Sequence, residues 1–241
     1  MDANFQVAEL RPSRGATWLA DGFTLYRAKP FAWIGLCTGW LLITLVLVEL
    51  GPIGAAIANF VQPVFFASFA IAAFRQVAGE PVMMTDLFLG FRRNLRPLVT
   101  LGAVLVMLEL SVFVLVWILL GSPQLSTDET APDKVTEYFE SMLKGKEWVL
   151  FIGFALSAVL KGAFWFAPPL IAFHDMGTSQ AMRWSVYAAI SNIGAMVVYG
   201  IVLVGAMIVA IIPWGLGLLV VIPVMAISTF MGYREVFEPK P

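Results

Sequence analysis

Residues 98–120 read LVTLGAVLVMLELSVFVLVWILL, a long apolar run broken by a single charge, Glu109. At roughly 1.5 Å per helical residue such a run crosses the roughly 30 Å of hydrocarbon in a bilayer. It lacks the alternation that a lipid-facing strand needs, so the helix is the form that satisfies its backbone in lipid. Working outward in both directions gives five more stretches of the same kind. The six run about 31–50, 52–74, 98–120, 148–172, 192–212 and 214–231. The fold class is therefore all-α, a polytopic protein of six transmembrane helices in a single membrane domain covering 1–241.

Composition agrees with this reading. Apolar residues make up 60% and charged residues 13%, against roughly 45–50% and about 25% in soluble domains. Mean hydropathy is +0.86, and it comes from several long runs and not from one core. The net charge of −1 includes no basic tail, so nucleic acid is not an expected partner. The single cysteine, Cys37, excludes an intrachain disulfide and a Cys-based zinc site, and reads as a buried spectator thiol. The first residues, MDANFQVAELRPSRGATW, contain no apolar stretch after their charges and no small-residue cleavage site. The first span is accordingly expected to stay in the mature protein.

The distribution of charge orients the chain. Arg11, Arg14, Arg27 and Lys29 precede the first span; Arg75, Arg92, Arg93 and Arg96 lie between the second and third. Arg183 lies between the fourth and fifth, and Arg234 and Lys240 close the chain. Eleven of fifteen basic residues thus fall on one side, which the retention of basic loops makes cytoplasmic. The opposite side has an acidic loop over 122–147, where Lys134, Lys144 and Lys146 are outnumbered by Asp128, Glu129, Asp133, Glu137, Glu140 and Glu147. Both termini are expected inside and this loop outside.

Each span that enters from the basic side follows an amphipathic stretch. Over 83–96 a helical wheel places Met83, Met84, Leu87, Phe88, Phe91 and Leu95 on one face, opposite Thr85, Asp86, Arg92, Arg93 and Arg96. Similar interfacial helices are expected over 17–28 and, more weakly, over 178–190. The chain therefore reads three times as elbow helix, span in, span out. Two local matches support an internal repeat: Asn94 and Asn192 are each followed eight residues later by a glycine. Pro52-Ile53-Gly54 and Pro213-Trp214-Gly215 are followed after eight and seven residues by Pro63-Val64 and Pro223-Val224. Prolines at mid-span remove a backbone hydrogen bond and kink the helix.

Ionisable groups inside hydrocarbon cost about 2.5–3.5 kcal/mol on insertion scales and mark candidate sites. Two qualify, Glu109 in the third span and Lys161 in the fourth. Counted from Pro97 and Ala172 they sit about 18 Å and 16 Å from the same surface. They are expected to form an intramembrane ion pair that binds one span to the other, with Ser157 one turn from Lys161 as a third member. Glu49 ends the first span at headgroup level. Gly35 and Gly39 form a GxxxG stripe suited to packing within the chain. His174, beside Asp175, reads as an interfacial polar residue, and Met83-Met84 as apolar packing. No metal, cofactor or catalytic residue is expected, since no nucleotide or hydrolase motif is present.

The stretch WLADGFTLYRAKPFAWI, the PIG turn with its mid-span proline, LFLGFRRN, Asn192 and the tail MGYREVFEP together resemble an uncharacterised family of proteobacterial six-helix inner-membrane proteins, a domain of unknown function. The resemblance covers most of the chain except 122–147. It implies a multi-pass protein of the bacterial inner membrane and brings no catalytic residue with it. The expected role is non-catalytic, as an accessory or assembly partner of a membrane complex or a lipid-associated scaffold. A small transporter or channel built on the Glu109–Lys161 pair is the alternative. Expected partners are membrane lipid and a larger membrane protein complex or a homo-oligomer.

Overall fold

The computed structural model describes residues 6–121 and 143–238. The expected acidic loop lies, over 122–142, outside the described residues. Nine α-helices are described: α1 Arg14–Ala28, α2 Pro30–Glu49, α3 Gly51–Val77, α4 Leu95–Leu120, α5 Glu147–Ala163, α6 Ala167–His174, α7 Thr178–Ser191, α8 Ile193–Ile211 and α9 Leu218–Phe237. Among the described residues six helical segments are long and apolar enough to cross a membrane, the fourth being α5 with α6.

Local chemistry explains where the helices start and stop. Lys29 leaves helical geometry just before Pro30, and Pro30 starts α2 where its missing N–H is not needed. Gly51, at φ +78°, makes the reversal between α2 and α3 that an L side chain would resist. The last hairpin turns differently. Trp214 and Gly215 both take positive φ after Pro213, so α9 begins at Leu218 and runs to Phe237 where the sequence suggested 214–231. Between α5 and α6 the fourth span breaks over Phe164–Phe166 instead of running unbroken through 148–172. Pro168 and Pro169 account for this, since they fit only the first turn of a new helix and disfavour helical geometry in the residues before them.

The elbows also differ from one another. Those at 17–28 and 178–190 are the α-helices α1 and α7. The one expected as a helix over 83–96 is instead two 3-10 turns, Met84–Phe88 and Gly90–Arg92. Asp86 is the cause. Its side chain, expected outward, is 1% exposed, accepts the Met83 N–H at 2.9 Å and pairs with Arg75. Asn94, at φ +24°, then ends the elbow before α4.

The described residues divide into two units, 1–103 with 163–241, and 104–162. In the first, each elbow docks on the outgoing helix of the preceding repeat, and the first elbow docks on the last hairpin. Gly90 lies on α3 so closely that a Cβ would sit 2.2 Å from the Val64 carbonyl oxygen, while its N–H donates to Ser68 Oγ at 2.8 Å. Gly22 of α1 meets α9 at the matching place: a Cβ would lie 3.0 Å from the Val224 oxygen and 3.2 Å from Ser228 Cβ. Both contacts fall immediately after a mid-helix proline, Pro63 or Pro223, in the sequence pattern Pro-Val-x-x-x-Ser. The third elbow is held through a serine and not through a close-packed glycine. Ser185 of α7 accepts the Phe166 N–H at 3.1 Å and donates to the Ala163 carbonyl at 2.8 Å, at the break between α5 and α6.

The second unit is a helical hairpin, the part of α4 from Val104 and α5 up to Gly162. Gly121, at φ +86°, closes α4 by donating its N–H to the carbonyls of Trp117 and Ile118. Lys146 Nζ then donates to the Leu120 carbonyl at 2.5 Å, placing a cation at the negative end of the helix. Val149 is buried, and Gly153 approaches Val116 so tightly that a Cβ would lie 2.6 Å from its Cγ2. The four-residue spacing of Val149, Gly153 and Ser157 keeps them on one face of α5.

Candidate functional site

Following that face toward the basic end leads to Ser157 and Lys161, and following α4 two turns back from Val116 leads to Glu109. The structure brings all three together. Lys161 Nζ lies 3.0 Å from Glu109 Oε1, and Ser157 Oγ donates to Glu109 Oε2 at 2.8 Å. Each carboxylate oxygen thus accepts one bond, and the charges compensate each other. The cluster is not enclosed: the side chains of Lys161 and Glu109 are 69% and 36% exposed. An ammonium has three donors, and Glu109 takes one of them.

At the basic side of the first unit a second set of polar groups ties the elbows down. Glu235 of α9 accepts from Trp18 Nε1 at 2.7 Å and from Arg14 Nε at 2.5 Å. That hydrogen bond from Arg14 to Glu235 holds the guanidinium above its ordinary pKa, against partial desolvation. Trp18 is fully buried and lies among the rings of Trp165, Phe166 and Tyr199, with centroids 5.9–6.5 Å away. Gln76 serves the first repeat similarly: it accepts from Trp33 Nε1 at 2.6 Å and donates to the Leu25 carbonyl at 2.9 Å. Arg75, its neighbour, bonds Glu80 Oε2 at 2.6 Å as well as Asp86. Asn192 accepts the Leu10 N–H at 2.8 Å and donates to the Ala8 carbonyl at 3.0 Å, pinning the segment before α1.

Sequence reasoning missed the Glu235 and Asp86 contacts. Charge placement assigned Arg14 and Arg75 to topology alone, and their partners lie 221 and 11 residues away. The available signal was Asp86, the one charge in the otherwise apolar stretch VMMTDLFLGF; Glu235, beside Arg234 and three residues before Glu238, carried no such mark.

Comparison with known proteins adds one relative. A probable inner membrane protein of Burkholderia thailandensis is 31% identical over 210 residues, spanning 81% of this chain and 74% of the relative. The chain belongs to that inner-membrane protein family. No protein-family model matches the chain, and no solved structure matches it. Membership places the protein in the bacterial inner membrane, in agreement with its six candidate spans.

Within this member of the family the remaining residues singled out by sequence take structural positions. Gly35 and Gly39 hold the elbow that follows the first hairpin: a Cβ would lie 2.9 Å from Met84 Sδ at the first and 3.4 Å from Leu87 Cδ2 at the second. Met83 and Met84 are half exposed beside this contact. His174 Nε2 lies 2.7 Å from the Tyr233 hydroxyl, and Cys37 is buried. Among the described residues no group of three His, Cys, Asp or Glu side chains is placed to hold a metal.

Proposed function

We propose that this protein is a non-catalytic membrane component that works as an assembly partner, with the α4–α5 hairpin as its contact element. The observation that carries the reading is the exposed Glu109–Lys161–Ser157 cluster near mid-span. A paired ammonium that still faces outward has unused donors, and lipid tails offer them no acceptor. The bond to Glu109 also restrains Lys161 from reaching the headgroups. A neighbouring helix with a carbonyl, hydroxyl or carboxylate at the same depth supplies what is missing. Such polar contacts between spans are worth about 0.6–2 kcal/mol each. The aromatic elbows on the basic side suit a scaffold resting on the inner leaflet.

Lys161→Met is expected to shift the tagged protein, extracted gently with its surrounding lipid, from a larger assembly to a lipid particle holding one 26.4 kDa chain. Size-exclusion chromatography of wild type and variant measures this, with circular dichroism confirming that the helices persist. An unchanged size distribution would sink the reading. A transporter is the second reading, supported by the titratable pair and by Pro63 and Pro223 within α3 and α9. Flux into reconstituted vesicles that depends on pH and is lost in Glu109→Gln would favour it instead.

A further inference from the structure

On the basic side of the first unit, a groove of about 550 Å³ opens between the end of α3, the second 3-10 turn and α6. Its volume falls within the roughly 300–1,000 Å³ of small-ligand sites. Ile71, Phe74, Leu89 and Phe173 form an apolar wall, with the rings of Phe74 and Phe173 5.6 Å apart. Arg92 and Arg93 also line it and are exposed. Arg75 also lines the groove, but Glu80 and Asp86 neutralise it. Glu80, the acidic member of the lining, is occupied by Arg75 in turn. Among the described residues neither Arg92 nor Arg93 has a carboxylate within ion-pair distance. The groove thus combines apolar side chains with two exposed cations.

Phe74 lies one turn before the end of α3 at Val77, and Phe173 one residue before the end of α6 at His174. The apolar wall therefore belongs to the basic-side ends of two candidate spans, where a bilayer's headgroups begin. We propose that this groove holds one anionic phospholipid of the leaflet that faces the basic side. The guanidinium groups of Arg92 and Arg93 take its phosphate through paired N–H donors, and the start of an acyl chain lies along Phe74 and Phe173. A zwitterionic lipid brings its own cation to the same arginines and fits less well. The site lies wholly in the first unit and does not rest on the assembly reading.

The full chain, purified in mild detergent, is incubated with phosphatidylglycerol, with phosphatidylcholine or with inorganic phosphate, and retained lipid is counted by native mass spectrometry. The expected result is one tightly retained phosphatidylglycerol, with retention reduced about tenfold or more in Arg92→Gln/Arg93→Gln and unchanged in Arg96→Gln. Because both arginines are exposed and have no ion-pair partner among the described residues, the double variant is expected to unfold at the wild-type temperature when no lipid is added. Equal retention of phosphatidylcholine, retention unaffected by the double substitution, or full displacement by inorganic phosphate would each overturn the proposal. In the last case the groove would be a site for free phosphate and not for lipid.

Discussion

Gly90→Ala is expected to lower stability by about 3 kcal/mol, the upper end of what inserting one methyl into a filled site costs. The added Cβ would stand 2.2 Å from the Val64 carbonyl oxygen and 2.8 Å from Ser68 Oγ. Backbone at that distance cannot turn aside as a flexible side chain can. The elbow must lift, and the Gly90 N–H loses its bond to Ser68 as it does so. Gly200 provides the control, because a Cβ there meets nothing within 4 Å. In α8, Gly200→Ala is expected to leave stability unchanged or raise it by up to about 1 kcal/mol, since alanine has less backbone entropy to lose. Unfolding of both variants in the same detergent makes the comparison. Equal effects would show that the elbow does not dock so closely on α3 beyond Pro63.

The second large effect concerns the polar cluster of the hairpin. Glu109→Gln leaves Lys161 without its counter-charge and is expected to cost about 2.5–3.5 kcal/mol, the insertion cost of a lone charge at that depth. Lys161→Met leaves the Glu109 carboxylate with Ser157 as its partner and is also expected to destabilise strongly. Together the two should lose less than their sum by about 1–3 kcal/mol, because the double variant removes both charges at once. Additive losses would mean that the 3.0 Å contact contributes nothing.

Much of the architecture was legible in the sequence because lipid imposes simple rules. Runs such as 98–120 have one solution in hydrocarbon, and six of them set the number of spans. That Glu109 and Lys161 can meet was legible from their similar depth on consecutive antiparallel helices, and the structure brings them to 3.0 Å. Asp86 was harder to place. A helical wheel assumes that polar residues face water, and it put Asp86 outward, whereas the partly exposed Arg75 guanidinium supplies the buried carboxylate with a counter-charge that no local pattern contains. The break at Phe164–Phe166 was written in Pro168-Pro169, but an apolar run of sufficient length hid it. The two docking places on α3 and α9 were marked in the sequence by Pro63-Val64 and Pro223-Val224. The docking itself was not legible, because Gly22 and Gly90 show their role only when the elbow is seen lying on the backbone just beyond each proline.

The assembly role of the hairpin is tested most directly by photocrosslinking in native membranes. Phe154 is 71% exposed and two helical turns from Lys161, on the same side of α5. A photoreactive residue at that position is predicted to give a discrete protein adduct that disappears in the Lys161→Met background. The same residue at Ile201 of α8, 67% exposed, is predicted to give only lipid adducts. The mass of the adduct separates a second copy of this chain from a different protein. Lipid adducts alone from position 154 would contradict the account.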